Sequence, residues 1–338
     1  MQQRLAVLVV LTGFAVLALS GFLAEGASPV PMRVAFQIAT GSSGGSFFPV
    51  GEALAGLISH PPGVSRCDAA PVCGPSGLVI SVRTSQGAID NVSEVNQGDA
   101  ESALAQADIV AAAVKGHPPF RGRASHIRVI GALYAENVYL VASAKSKIRK
   151  VADLPRKRVW LDNEGAGSDI TMRQILSAYG VAENSLRLVR SDEESAGALL
   201  RAGKVDAFFA VGTAPLTELS DLFAKGSVRL VPIDGAGRAR LVQEAPSFMP
   251  STISSGAVAG ISSTPTVATR ALWIVRDSVP DNLVYGITRA LFQPANRLAL
   301  SASHPASSGL DAGEAAKGLP AALHGGAARY YREQGQKF

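Results

Sequence analysis

A loop of small polar residues between a predicted strand and a predicted helix is the first feature that could do chemistry. An apolar run ends at Ala39, and the loop Thr40-Gly41-Ser42-Ser43 follows it. Pro49 and the helical spacing of the apolar residues in 50–58 predict that a helix begins just after the loop. Helix N-termini attract anions through their free backbone N–H groups and their dipole. The loop therefore predicts an anion site; the alternative is a tight turn that needs glycine for a positive φ.

A second loop of the same kind lies in the other half of the chain. Its residues are Gly165, Ala166, Gly167 and Ser168. A strand is predicted before it, over 158–161, and a helix after it, over 170–179. The same reasoning makes it an anion site, although Ser168 could act only as the helix N-cap. Two such loops in two halves of one chain indicate a clamshell that closes on a small acid.

Further positions near the predicted ends of strands and helices are candidates for ligand contact: Asn91, Gln106, Tyr134, Glu136, Gly212, Thr213 and Ala214. Gln106 could bind ligand or simply lie at the edge of the core. Asn91, one turn inside a predicted helix, could be a buried structural amide. Glu136 could accept an amino group from an amino-acid solute, or could lie at a junction between two lobes.

Strands and helices alternate through the rest of the chain, which predicts α/β architecture with ligands at the carboxyl ends of the strands. About 310 residues remain after an N-terminal leader, enough for two domains. The predicted organisation is a first lobe over 28–135, a second lobe over 136–240, and a return to the first lobe with C-terminal helices over 241–338. The ligand cleft lies between the lobes.

The N-terminus has the pattern of a targeting segment. Arg4 precedes an uncharged apolar run, 5–19, and small residues follow it. The run is shorter than the roughly 20 residues that span a bilayer, so residues 1–27 are interpreted as a cleaved signal peptide. An uncleaved anchor is the alternative.

Cys67 and Cys73 are the two cysteines, with a Pro/Gly-rich stretch around them. In an exported protein this spacing favours one local disulfide. A metal pair is the alternative, but His60 is the only imidazole near them. The five histidines show no metal-ligand spacing, so neither a metal nor a cofactor is expected.

The charge pattern argues against nucleic-acid binding. The formal net charge is +5, and the basic residues are spread out apart from clusters at 145–150 and 156–158. Few aromatic residues lie near these clusters, which is typical of a solvated surface. A mild positive charge could still help to attract anionic solutes.

A secreted esterase is an alternative function. Gly41, Ser43 and Gly45 fit the Gly-x-Ser-x-Gly nucleophile pattern, with Asp206 or Asp234 and then His304 or His324 in the appropriate order. The pattern lies on the first strand, however, with no earlier strands to build the central sheet. It is therefore weak evidence for a hydrolase.

The order of the motifs resembles the TAXI family, the solute receptors of TRAP transporters, over roughly residues 33–333. The resemblance rests on the first glycine-rich segment 38–51, on 87–91, on 98–108, on 165–168 and on the ending 319–333. It implies a non-enzymatic, two-lobed, type II periplasmic-binding-protein-like receptor. Such a receptor delivers a small carboxylate or amino acid to small and large TRAP permease subunits, which can be fused.

The sequence departs from the family pattern at Ala88, Ala166 and Phe47, which replace a serine, a serine and a tyrosine. Phe47 and Ala166 thereby join the candidate ligand-binding residues. Each change removes a hydroxyl from the expected cleft, so the solute is expected to be less polar than glutamate. An ABC-type receptor for a thiamine-precursor-like solute, with the same fold, is the runner-up.

Overall fold

Strands and helices alternate along the chain from Val34 onward. The structure is a computed structural model that describes residues 33–338 except 65–66, 68–71, 163–164, 192–193, 215–216, 258–260 and 305–308. The predicted signal peptide, residues 1–27, lies outside the described residues. None of the described helices is both long enough and apolar enough to cross a membrane.

The described strands are β1 (Val34–Ala39), β2 (Leu78–Arg83), β3 (Ser102–Gln106), β4 (Ile127–Ser143), β5 (Arg158–Trp160), β6 (Arg187–Val189), β7 (Ala207–Gly212), β8 (Val228–Val231), β9 (Met249–Ile253) and β10 (Thr264–Arg276). The α-helices are α1 (Phe47–Ile58), α2 (Ala88–Gln97), α3 (Ala107–Lys115), α4 (Ser168–Ala178), α5 (Ala196–Arg201), α6 (Thr217–Ala224), α7 (Gly235–Glu244), α8 (Asp281–Leu291), α9 (Pro294–Ser303), α10 (Ala312–Ala315) and α11 (Gly325–Glu333).

One mixed sheet organises these elements, in the order β2-β1-β3-β10-β4-β7-β5-β6, with β8 beside β4 and β9 beside β10. β1 is parallel to β2 and β3, whereas β10 is antiparallel to β3 and β4. Parallel strands with helices between them place the loops after β1, β3 and β5 at the carboxyl ends of strands.

Two long strands, β4 and β10, run through both halves of the sheet, and the buried residues change partners along them. Ile127–Tyr134 of β4 and Ala271–Val275 of β10 pack with β1, β3 and the helices α1–α3. Further along β4, Val138 and Leu140 pack with residues of β5, β7 and α4. The result is a two-lobed α/β fold of the type that the sequence predicts.

β4 runs without a break through the point between residues 135 and 136 where the sequence predicts that the first lobe ends. Glu136 and Asn137 pair with Thr269 and Ala268 of β10, and Asn137 also pairs with Gly212 of β7. These pairings satisfy the backbone across the polar segment, so the strand does not need to end there.

The return to the first lobe lies later than the sequence analysis places it. Phe248 and Val267 pack in the core with β5, β7 and α4, and Ile253 packs with the helices α5 and α6. Phe248, Ile253 and Val267 therefore pack with the second lobe rather than the first.

Cys67 and Cys73 are joined by a disulfide, with their Cα atoms 5.4 Å apart. Both half-cystines are buried. The bond closes the short segment between α1 and β2 in the first lobe, as the spacing predicts.

Candidate functional site

The first small-residue loop connects β1 to α1, and its residues have different roles. Thr40 is fully buried, and its hydroxyl donates to the Arg83 carbonyl at 2.8 Å. Ser46, the N-cap of α1, donates its hydroxyl to Glu136 Oε1 at 2.6 Å. The N-terminus of α1 therefore meets a carboxyl group from the protein itself.

Glu136 lies on β4 between the two lobes and is only 1% exposed. Its Oε2 accepts a hydrogen bond from Gln106 Nε2 at 2.9 Å. The pKa of Glu136 is raised to about 7: burial raises it most and the negative charge of nearby Asp108 adds to this, while the hydrogen bonds from Ser46 and Gln106 lower it. Near neutral pH this carboxyl can therefore hold or release a proton in response to what binds beside it.

Asp108 is a second buried carboxyl, in the first turn of α3. Its Oδ2 accepts from Thr171 of α4 at 2.6 Å, and its Oδ1 accepts from Thr269 of β10 at 3.0 Å. Burial raises its pKa, against the effect of the two threonine hydroxyls. Asp108 links the first lobe to the second next to the two crossing strands.

The second small-residue loop, before α4, contacts the first lobe through its backbone. The N–H of Ile89 donates to the Gly165 carbonyl at 3.0 Å, and the N–H of Ala88 donates to the Ala166 carbonyl at 3.4 Å. The loop carbonyls thus satisfy the free N–H groups at the start of α2. The lobes meet here, backbone to backbone.

Carboxylates also surround the N-terminus of α4. The Ser168 hydroxyl donates to Asp162 Oδ2 at 3.0 Å. Arg190 donates to the Asp162 carbonyl at 2.9 Å and to Asp169 Oδ2 at 2.7 Å. Burial raises the pKa of Asp169, and the charges of Arg190 and Arg173 lower it.

Two connected chambers lie between the lobes, of about 1000 Å³ and about 210 Å³. Gln86, Gln106, Asp162 and Val211 line both chambers. The predicted residues that line at least one chamber are Gly41, Ser42, Phe47, Gln106, Glu136, Ala166, Gly167 and Ser168.

The other predicted residues lie away from the chamber walls: Thr40, Ser43, Asn91, Tyr134, Gly165, Gly212, Thr213 and Ala214. Asn91 is fully buried, and its amide donates to the carbonyls of Thr40 and Leu104, which corresponds to the structural alternative. The Thr213 hydroxyl donates to the Ala135 carbonyl at 2.9 Å and so ties β7 to β4.

Sequence reasoning missed the aromatic wall of the larger chamber. The rings of Trp160 and Phe208 lie 6.4 Å apart in an edge-to-face arrangement. Trp160 ends β5, and Asp162 follows it, so their position at the carboxyl end of a strand is the signal that could have identified them. The local sequence around Phe208 is that of a buried strand, so nothing in it indicates that Phe208 lines a chamber.

Two of the residues proposed for an esterase, Asp206 and His324, have other partners in the structure. Asp206 is bound by Arg158 in the second lobe, at 2.7 Å. His324 is 2% exposed, and its Nδ1 accepts from the Gly326 N–H at 3.2 Å, where it caps α11. Ser43 is exposed on its loop. A nucleophile needs a base within hydrogen-bond reach, and His324 is committed to a helix cap.

Several solved structures are similar in fold. The periplasmic aliphatic sulphonate binding protein SsuA from Escherichia coli is 13% identical, with 80% of this chain and 74% of that chain covered and a TM-score of 0.45. The alkanesulfonate-binding protein SsuA from Xanthomonas axonopodis pv. citri, bound to MOPS, is 16% identical, with 90% and 85% covered and a TM-score of 0.44. An ancestral arginine-binding protein bound to arginine is 13% identical, with 82% and 100% covered and a TM-score of 0.47.

The family is established by the sequence itself, independently of these structures. The sequence model of the NMT1-like family matches residues 38–335, from the end of β1 to just beyond α11. The match includes both small-residue loops, both crossing strands and the two chambers between the lobes. This chain belongs to the NMT1-like family.

Proposed function

We propose that this protein is a non-enzymatic receptor that closes its two lobes around a small organic solute, a carboxylate or an amino-acid-like molecule. The observation that carries the proposal is the pair of chambers between the lobes, with walls from the loops after β1, β2, β5 and β6 and from the strands β3 and β7. A site that draws its walls from two lobes is complete only when the lobes are together.

Hinge closure is the proposed mechanism. β4 and β10 connect the lobes, and the Ile89 to Gly165 hydrogen bond lies where the lobes meet in the closed form. A solute that contacts both lobes stabilises the closed form by the free energy of the contacts that only this form makes. We place the lobe boundaries near residue 136 on β4 and near residue 269 on β10, where Glu136 pairs with Thr269.

The transport partner is proposed from the sequence resemblance. The receptor is exported to the periplasm and delivers its solute to the small and large permease subunits of a TRAP transporter, which an ion gradient drives. An ABC transporter is the other partner for a receptor of this fold.

Two measurements test the receptor function. Mass spectrometry of the solute retained by the purified protein identifies the ligand class. X-ray scattering of the stripped protein should then show a smaller radius of gyration when that solute is added back, because only the closed form contacts it from both sides. An unchanged scattering curve at saturating solute would contradict the proposal.

The choice of transporter has a separate test. Proteoliposomes that contain the candidate permease should take up the solute only in the presence of this protein. Uptake that follows an imposed ion gradient without ATP supports the TRAP assignment. Uptake that requires ATP identifies an ABC partner and leaves the receptor function in place.

A further inference from the structure

We infer that the solute is a primary amine with an apolar or aromatic body, and that its ammonium group binds in the smaller chamber beside Glu136, Gln106 and Asp162. This inference rests on the proposed receptor function and narrows its ligand from a carboxylate or amino-acid-like solute to one whose amine is the recognised group.

The serine hydroxyls at the N-termini of α1 and α4 already donate to the protein's own carboxylates. Glu136 accepts the hydroxyl of Ser46 at the N-terminus of α1. Asp162 accepts the hydroxyl of Ser168 at the N-terminus of α4, and Asp169 lies in the first turn of that helix. A carboxylate from the solute would have to displace these groups or bind next to them, against like-charge repulsion.

The chamber walls carry negative and no positive side chains in the described part of the chain. Glu136, Asp162 and Glu194 line them, and no Lys or Arg does. Lys204 pairs with Glu194 at 2.6 Å, whereas Glu136 accepts its hydrogen bonds from the neutral side chains of Ser46 and Gln106, so Glu136 contributes an excess negative charge. A cationic group complements this excess.

The smaller chamber also presents the acceptors that an ammonium group requires. A primary ammonium has three N–H donors and no acceptor. Glu136, Gln106 and Asp162 all line this chamber. The Gln106 side-chain oxygen is buried and has no hydrogen-bond partner among the described residues, while its amide nitrogen is used by Glu136. A buried acceptor without a partner is costly, and an ammonium N–H would satisfy it.

The larger chamber fits an apolar body. Trp160, Phe208, Val211 and Leu219 contribute apolar walls, and Gln106 and Asp162 connect this chamber to the smaller one. The indole N–H of Trp160 is buried without a partner among the described residues, so it can donate to a polar atom on the body. A volume of about 1000 Å³ exceeds what a small dicarboxylate would fill.

The test uses a matched pair of probes, 2-phenylethylamine and 3-phenylpropionate, which share the ring and the two-carbon spacer. Isothermal titration of the stripped full chain should give a dissociation constant for the amine at least about tenfold lower than for the carboxylate, since a charge-assisted hydrogen bond contributes that much. Ethylamine should bind more weakly than 2-phenylethylamine, because it leaves the larger chamber empty.

Two variants locate the ammonium group. Glu136→Gln and Asp162→Asn should each weaken 2-phenylethylamine by about tenfold or more, because each removes a negative acceptor. Glu333→Gln, on the outer face of α11, is the matched control and should not change the affinity. If Glu136→Gln does not fold, the affinity of Asp162→Asn for 2-phenylethylamine alone decides whether the ammonium group binds in the smaller chamber.

The inference is overturned if 3-phenylpropionate binds as tightly as the amine, if neither amine binds at millimolar concentration, or if both acceptor variants keep full amine affinity. Its failure is distinguishable from failure of the receptor function. Compaction by 3-phenylpropionate in X-ray scattering would contradict the amine inference but support the receptor function. A retained solute that produces no compaction would contradict the receptor function itself.

Discussion

The two small-residue loops look alike in sequence, but they have different surroundings in the folded chain. The loop after β1 stays within the first lobe, where Gly41 has space around it: a Cβ built there would approach Phe47 no closer than 3.9 Å. The loop after β5 presses against the other lobe, and a Cβ on Gly165 would lie 2.4 Å from Gln86 Cβ and 2.8 Å from Asp90 Cγ.

The backbone conformations differ in the same way. Gly167 has a φ of 96°, in the left-handed region that favours glycine, whereas Gly41 does not have a positive φ. Glycine in the second loop therefore serves close approach between lobes, and glycine in the first loop does not. Added bulk is therefore expected to matter more at Gly165 and Gly167 than at Gly41.

The largest effect should come from a side chain at the lobe contact. Gly165→Ala places a methyl group against the side chains of Gln86 and Asp90, so the lobes cannot close fully. We expect the affinity for the retained solute to fall by about a hundredfold, equivalent to about 3 kcal/mol. The thermal midpoint of the solute-free protein should change little if the lobes separate without solute, because the contact exists only where the lobes meet.

Gly41→Ala is the matched control in the other loop, and should keep affinity within about threefold of the wild type, since its Cβ meets only an ordinary contact. Equal losses in the two variants, measured by titration of the same solute, would mean that the contrast between the loops is incorrect.

A second test concerns Glu136, the carboxyl that fills the anion position of the first loop. Its pKa is about 7 in the folded protein, against 4.5 for an unperturbed glutamate. Between these values the folded chain keeps a proton that the unfolded chain has lost, so stability falls as the pH rises through this window. Glu136→Gln, which keeps the neutral form, should be more stable than the wild type above pH 7 by up to about 3 kcal/mol.

Other groups face Glu136 and remain in the variant. Asp108 adds negative charge and has a raised pKa of its own, and Tyr134 and Tyr139 have pKa values raised above their usual range. Chemical unfolding of wild type, Glu136→Gln and Glu333→Gln between pH 4 and pH 8 isolates the Glu136 contribution. A difference between wild type and Glu136→Gln that does not grow with pH would contradict it.

The Cys67–Cys73 disulfide lies in the first lobe, outside both loops, so its removal should change stability but not ligand binding. Replacing Cys67 and Cys73 by serine reopens a short loop, so the free energy of unfolding should fall by about 1–2 kcal/mol. Solute affinity should be unchanged, since neither residue lines a chamber. Alkylation of both thiols in the denatured, non-reduced wild type would show that the bond is absent.

The smallest effect should come from Ser43→Ala in the first loop. Ser43 is exposed and does not line either chamber, so the affinity should change by less than about 1 kcal/mol. Assays with simple acyl esters should show no turnover in either form. Esterase activity that disappears in this variant would replace the receptor function with a hydrolase.

Local signals predicted much of the fold correctly. The apolar spacing in 50–58 gives α1, which buries Val50, Leu54 and Ile58, and the apolar alternation with short turns gives the α/β architecture. Other elements were missed: α3, which follows β3 directly, and α7 and β9 in the second lobe. α7 buries only Leu241 along its length, so its periodicity is faint.

The candidate site was predicted only in part, for a physical reason. The sequence alone determined where loops follow strands, because turn residues and apolar periods are local properties that nearby residues set. Only the tertiary structure decided what those loops meet: Ser46 finds its acceptor on Glu136, 90 residues away, and Thr269 donates to Asp108 across a separation of 161 residues. Burial of those carboxyls, and so the sign of the charge that the cleft prefers, depends on the packing of both lobes around β4 and β10.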